Sequence, residues 1–199
     1  MGTFYVERST ILEFLHWLDG AFAQPGRLYL LGETTQVVEG WYQQTKRLEF
    51  AAEIAPARCT EFDKAVTNLQ NQLGIDIYQE APGDIIPLPA GYEARARPFD
   101  NGHNGKLQFY HFDPYNVAFR LITRGDEPDY RTVLAYLEHG WLTVDEMNRL
   151  LADLLPQFTN ETIQQDPAEF RRKYRGLMQM WRARESKGTK GPEEVPSVT

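Results

Sequence analysis

The sequence predicts a mixed αβ fold, in which a small twisted sheet flanked by helices is followed by a helical C-terminal half. Three observations lead there. Short apolar runs alternate with helix-period segments over residues 1–112. From residue 113 onward the apolar spacing is helical throughout. A hydrophobic fraction of 42% over 199 residues is enough for a core of that size.

The elements follow in order. Ile11, Leu12, Leu15, Leu18 and Phe22 recur at helical spacing, so 9–23 is a helix, with Ser9 or Thr10 as its cap. A turn at Gln24, Pro25 and Gly26 leads into a buried strand at 27–31. Gly32 breaks it, and 33–44 reads as a second helix. Residues 47–54 alternate at first and read as a second strand. A third helix runs from Thr60 to Leu73 and stops at Gly74. A short strand at 75–78 precedes a Pro/Gly-rich stretch at 81–91, which has too many prolines for a central strand. Strand 107–112 sets Leu107, Phe109 and His111 against Gln108, Tyr110 and Phe112.

Asp113 then caps a helix whose first residue is Pro114. Further helices are expected at 129–139, 143–155 and 167–183, and Thr143 with Glu146 has the capping-box form. The organisation is a mixed αβ core at 1–112, a helical part packed on it at 113–185, and a polar, disordered tail at 186–199.

Composition sets limits on function. No apolar run approaches the roughly 20 residues that span a bilayer, and the N-terminus lacks the layout of a secretion signal. A soluble, cytoplasmic protein is the expectation. Cys59 is the only cysteine, which excludes an intrachain disulfide or a cysteine metal cluster. Residues 168–190 hold eight basic and two acidic side chains, a net +6, which leaves −13 on the rest of a chain of formal charge −7. An acidic body repels a nucleic-acid backbone, so RNA or another anionic partner would meet the chain at this C-terminal helix. The plainer reading of the same run is a solvated helix face.

The chemistry-bearing unit lies at 28–50. A glycine where a strand turns into a helix lets backbone N–H groups face a phosphate. Acids at alternate positions of the next strand put two carboxylates on one face. Together these are the parts of a phosphate cradle and a divalent-metal site.

Leu30, Leu31, Gly32 and Glu33, then thirteen residues, then Arg47, Leu48, Glu49 and Phe50 resemble the signature of minimal nucleotidyltransferases. Segments 85–97, 107–115 and 124–131, in that order, are similar to an uncharacterised bacterial nucleotidyltransferase family related to AbiEii-type toxins. The resemblance covers roughly residues 10–180. It implies a nucleotidyltransferase fold, Mg²⁺ and NTP as cofactors, and a toxin–antitoxin or phage-defence setting. It assigns Gly32, Glu33 and Thr34 to the nucleotide, and Glu49 and Asp76 to catalysis and metal, with Glu80 and Asp84 as weaker candidates for the third acid.

Two positions depart from the pattern. The second small residue is Glu33, which suits a helix dipole but repels a triphosphate. The first metal acid is Arg47, which cannot ligate Mg²⁺. Glu33 and Arg47 are expected to pair across the old pocket. The reading is a nucleotidyltransferase-like pseudoenzyme; retained catalysis through other ligands, and surface acids outside any motif, stay open beside it. The alternative function is a protein- or nucleic-acid-interaction module.

Other residues carry less. His16, His103, His111 and His139 have no metal-ligand spacing, and Cys59 has no visible partner. Tyr110, Tyr115 and Arg120 are possible cleft residues. Arg124, Asp126 and Asp129 read as a helix junction, and Met178 and Trp181 as packing.

Overall fold

The computed structural model describes residues 5–100, 102, 105–158 and 165–188. Strand β1 (Val6–Glu7) leads into α1 (Arg8–Phe22), β2 (Gly26–Leu30), α2 (Gly32–Val38), β3 (Gln44–Thr45) and β4 (Leu48–Ile54). Then come α3 (Cys59–Leu73), β5 (Ile77–Gln79), α4 (Tyr92–Arg95), β6 (Arg97–Pro98) and β7 (Leu107–His111). Helices α5 (Pro114–Arg124), α6 (Glu127–Glu138), α7 (Val144–Leu154) and α8 (Pro167–Gly188) complete the described chain. The fold is mixed α/β: a five-stranded mixed sheet, a two-stranded sheet and these helices.

The main sheet has the order β5-β4-β2-β7-β6. Strand β2 is central, antiparallel to β4 and parallel to β7. Strand β5 runs parallel to β4, with Leu48 opposite Ile77. Period-two alternation along β2 sorts its side chains between two cores. Leu28 and Leu30 join Phe50, Phe109 and the apolar faces of α1 and α3. Tyr29 and Leu31 join Ala51 and the helices α5 to α8. Glu49, one step from Phe50, is therefore on the face that the C-terminal helices cover.

Several local expectations hold. Gly74 ends α3 at φ 64°, a conformation that favours glycine. Asp113 accepts the Tyr115 N–H at 3.1 Å with Pro114 at the first helical position. The same carboxylate takes two hydrogen bonds from Arg95, at 2.9 and 2.8 Å, which ties the 81–96 segment to α5. Burial pushes the Asp113 carboxyl up, and Arg95 pulls it back.

Other expectations are corrected. The second helix stops at Val38 rather than 44. Gly40 takes φ 77°, and Trp41 N–H turns back to the Gln36 carbonyl at 2.8 Å, closing the helix. Gln44 and Thr45 pair instead with Glu7 and Val6. That pairing also removes Ser9 and Thr10 as caps, because Glu7 occupies the cap position and makes no side-chain cap bond. The third strand starts at Ile77, two residues late, where its ladder with β4 begins. Thr143 accepts the Glu146 N–H at 3.4 Å, but the return arm is not made, because Glu146 pairs with Arg149. The last helix runs to Gly188, so the expected tail at 186–199 is helical for its first three residues. Its remainder lies outside the described residues.

Candidate functional site

Gly32 sits where β2 turns into α2, as the motif requires. Its φ is 50°, and a Cβ there would lie 2.8 Å from Glu49 Oε2. The absent side chain is what lets the carboxylate approach the turn. Thr34 is fully buried, and its hydroxyl oxygen accepts the Glu49 N–H at 2.7 Å. It fixes β4 against α2, and Thr34 is not among the residues that line the cleft. Below the turn, the buried Tyr136 hydroxyl donates to the Gly32 carbonyl at 3.2 Å, anchoring α6 under the loop.

A cleft of about 540 Å³ opens at this end of the sheet, between β4 and the start of α6. Gly32, Glu33, Arg47, Glu49 and Asp76 all line it. Arg47 lies in the bend just before β4 rather than on the strand, and its side chain pairs with Glu49 at 2.8 Å. The expected Glu33–Arg47 pair is not formed. Glu33 instead accepts the Thr45 hydroxyl at 2.9 Å. Arg47 is only two residues from Glu49, so the shorter reach wins; its guanidinium also lies 4.8 Å above the Tyr78 ring.

Burial raises the Glu49 carboxyl above its ordinary value, and Arg47 opposes that rise. The second acid acting on Glu49 is Glu80, not Asp76. Glu80 and Glu49 line a smaller recess together, and Glu80 is held at 2.5 Å by Arg120, both side chains nearly buried. Asp76 precedes the β5 ladder and is exposed, so it stands at the cleft rim. Asp84 is exposed in the loop and lines neither cavity. Arg124 meets Asp129 through two hydrogen bonds, at 3.2 and 2.8 Å, the helix junction expected between α5 and α6. Burial pulls the Arg124 pKa down, but Asp129, with Glu49 and Glu80 behind it, outweighs burial and leaves it raised.

Mg²⁺ takes several oxygen ligands, usually including one or two carboxylates. Here one Glu49 oxygen is taken by a guanidinium, Asp76 is at the rim, and Glu80 is committed to Arg120. These residues do not fit a Mg·NTP site. Among the described residues, no group of three or more His, Cys, Asp or Glu is arranged to hold a metal ion. The sequence singled out Glu80 as a weaker third acid, Arg120 as a cleft residue and Arg124 with Asp129 as a helix junction, but nothing in their spacing signalled that they meet beside Glu49. Also among the described residues, no helix is long and apolar enough to cross a membrane. Compared with known proteins, the chain matches no family model, no curated protein and no solved structure.

Proposed function

We propose that this chain is a nucleotidyltransferase-like protein whose metal and NTP site no longer supports transfer. One observation carries the reading: Arg47 stands at the position of the first metal acid and is paired with Glu49 beside Gly32. A cation bound to the remaining carboxylate takes the charge that a metal would take, and Glu33 in the same cleft repels phosphate. The strand–glycine–helix turn and the acid beside it are what the reading retains of the ancestral site.

The test is calorimetry of ATP and GTP with and without Mg²⁺. The natural chain should show little Mg²⁺-dependent affinity. Arg47→Asp with Glu33→Ser should gain it beyond the sum of the two single changes, since both side chains share one cleft. A folded double variant that binds no better than the natural chain would overturn the assignment, as would micromolar Mg²⁺-dependent binding by the natural chain.

A second reading has its own observation. Arg171, Arg175 and Arg182 are exposed along one flank of α8, spaced four and seven apart, and the structure places no carboxylate in ion-pair distance of Arg171 or Arg175 among the described residues. This flank suits an anionic partner such as RNA. Binding of a single-stranded RNA that weakens steeply with salt, and is lost in the triple Arg→Glu variant, supports it; salt-independent or absent binding removes it.

A further inference from the structure

A second groove of about 250 Å³ adjoins the cleft, on the side away from Glu49. It runs between the β1–β3 pair and α6, and Glu33, Thr45, Lys46 and Arg131 line both cavities. Tyr5 and Tyr42 border it, 49% and 42% exposed. They are two of only four large hydrophobic side chains that the described residues leave exposed. The β1–β3 register sets Val6 opposite Thr45, and Tyr5 and Lys46 flank that pair in the chain. Pro128, Arg131 and Thr132 contribute one face of α6, being three and four residues apart.

The charges here differ from those around Glu49. Lys46 and Arg131 are exposed, and neither has a carboxylate within ion-pair distance among the described residues. Glu33 is half-buried in the same groove and accepts one hydroxyl, from Thr45, which leaves its other oxygen open to a donor. Two exposed aromatic rings, two unpaired cations and one acceptor converge on a single groove. That set recognises a molecule with a planar ring, an anionic group and hydroxyl or amino donors.

We propose that this groove binds a free nucleoside monophosphate without a metal. The base lies against Tyr5 and Tyr42, the phosphate meets Lys46 and Arg131, and Glu33 accepts from a ribose hydroxyl or a base amino group. The proposal goes beyond the transferase reading, because it uses neither Glu49 nor Mg²⁺.

The test is titration of AMP into the natural chain in EDTA, followed by calorimetry or by NMR. AMP should bind at or below about 1 mM, and adenosine or inorganic phosphate about tenfold more weakly, because each supplies only part of the set. Lys46→Glu and Arg131→Glu should each weaken AMP by about tenfold or more. Lys106→Glu, at the opposite end of the sheet, makes the same charge change and should leave AMP binding as it was. Tyr5→Ser and Tyr42→Ser should weaken AMP, whereas Tyr5→Phe and Tyr42→Phe keep the ring and the affinity; the Phe pair stands in if a Ser variant fails to fold. No AMP binding up to about 10 mM would overturn the proposal. So would binding that the Lys46 and Arg131 changes leave intact, or that Lys106→Glu weakens equally. Because the titration contains no metal, its failure leaves the transferase reading standing, and failure of the Mg·NTP test leaves this groove standing.

Discussion

The pocket around Glu49 and the groove beside Tyr42 share a wall, yet they treat charge in opposite ways. Around Glu49 the buried or half-buried charges are paired: Arg47 with Glu49, Glu80 with Arg120, Arg124 with Asp129. These groups are partly or wholly withdrawn from water, where a lone charge costs several kcal/mol. In the groove Lys46 and Arg131 stand exposed with no ion-pair partner among the described residues, where an unpaired charge costs little. The difference teaches where a ligand's charge is needed. The charges packed around Glu49 are paired with one another, and the two groove cations have no ion-pair partner among the described residues.

Breaking the pocket's pairing should have the largest effect on stability. Arg47→Asp leaves Glu49 beside a like charge with Glu80 behind it, and should cost about 2 kcal/mol at neutral pH, less than a fully buried pair would because Arg47 is partly exposed. The cost should depend on pH. Burial raises Glu49, so the folded chain holds that proton more tightly than the unfolded one. The corresponding stability is full below the ordinary glutamate pKa and is lost as pH rises through the raised value. Without Arg47 the carboxyl rises further, so the loss should extend to higher pH than in the natural chain. Denaturant titrations of both chains from acid to neutral pH check this; parallel profiles would mean that Arg47 does not hold Glu49.

Gly32→Ala tests the turn itself. The backbone angle disfavours a side chain, and the new methyl would press on Glu49, so a loss of about 1.5 kcal/mol is expected. A variant as stable as the natural chain would show that the carboxylate is not seated there. Tyr136→Phe removes one buried hydrogen bond to the Gly32 carbonyl and should cost about 1 kcal/mol. If thermal melts of that variant match the natural chain, α6 does not anchor the loop through this hydroxyl.

The smallest effect sharpens the contrast. Lys46→Ala and Arg131→Ala should each change stability by less than about 0.5 kcal/mol, since neither exposed side chain has an ion-pair partner among the described residues. A larger loss would make the two cations structural and erase the difference between pocket and groove.

Much of the architecture was legible because it is local. The continuous apolar run at 27–31 marked a buried strand, and both of its faces are indeed covered. Asp113 before Pro114, and Gly74 after Leu73, mark helix ends through bonds made within a few residues. Gly32 at a strand–helix turn follows from the same short-range geometry, whereas Arg47, expected on the next strand, falls in the bend just before it. The length of α2 was not legible, because Gln44 and Thr45 are claimed by Val6 and Glu7, some forty residues earlier.

Partner choice is where the sequence by itself stopped. It determined that Glu33, Arg47 and Glu49 would stand near one turn. Only the tertiary structure decided that Arg47 takes Glu49, that Thr45 takes Glu33, and that Glu80 rather than Asp76 is the acid behind Glu49. The reason is physical. Charges pair with whichever opposite charge or donor the packed fold brings within about 3 Å, a distance small beside the shifts that one residue of strand register makes. Residues as far apart as Tyr5, Tyr42 and Arg131 became one groove by the same route, through the docking of α6 beside the β1–β3 pair, and no spacing along the chain encodes that contact.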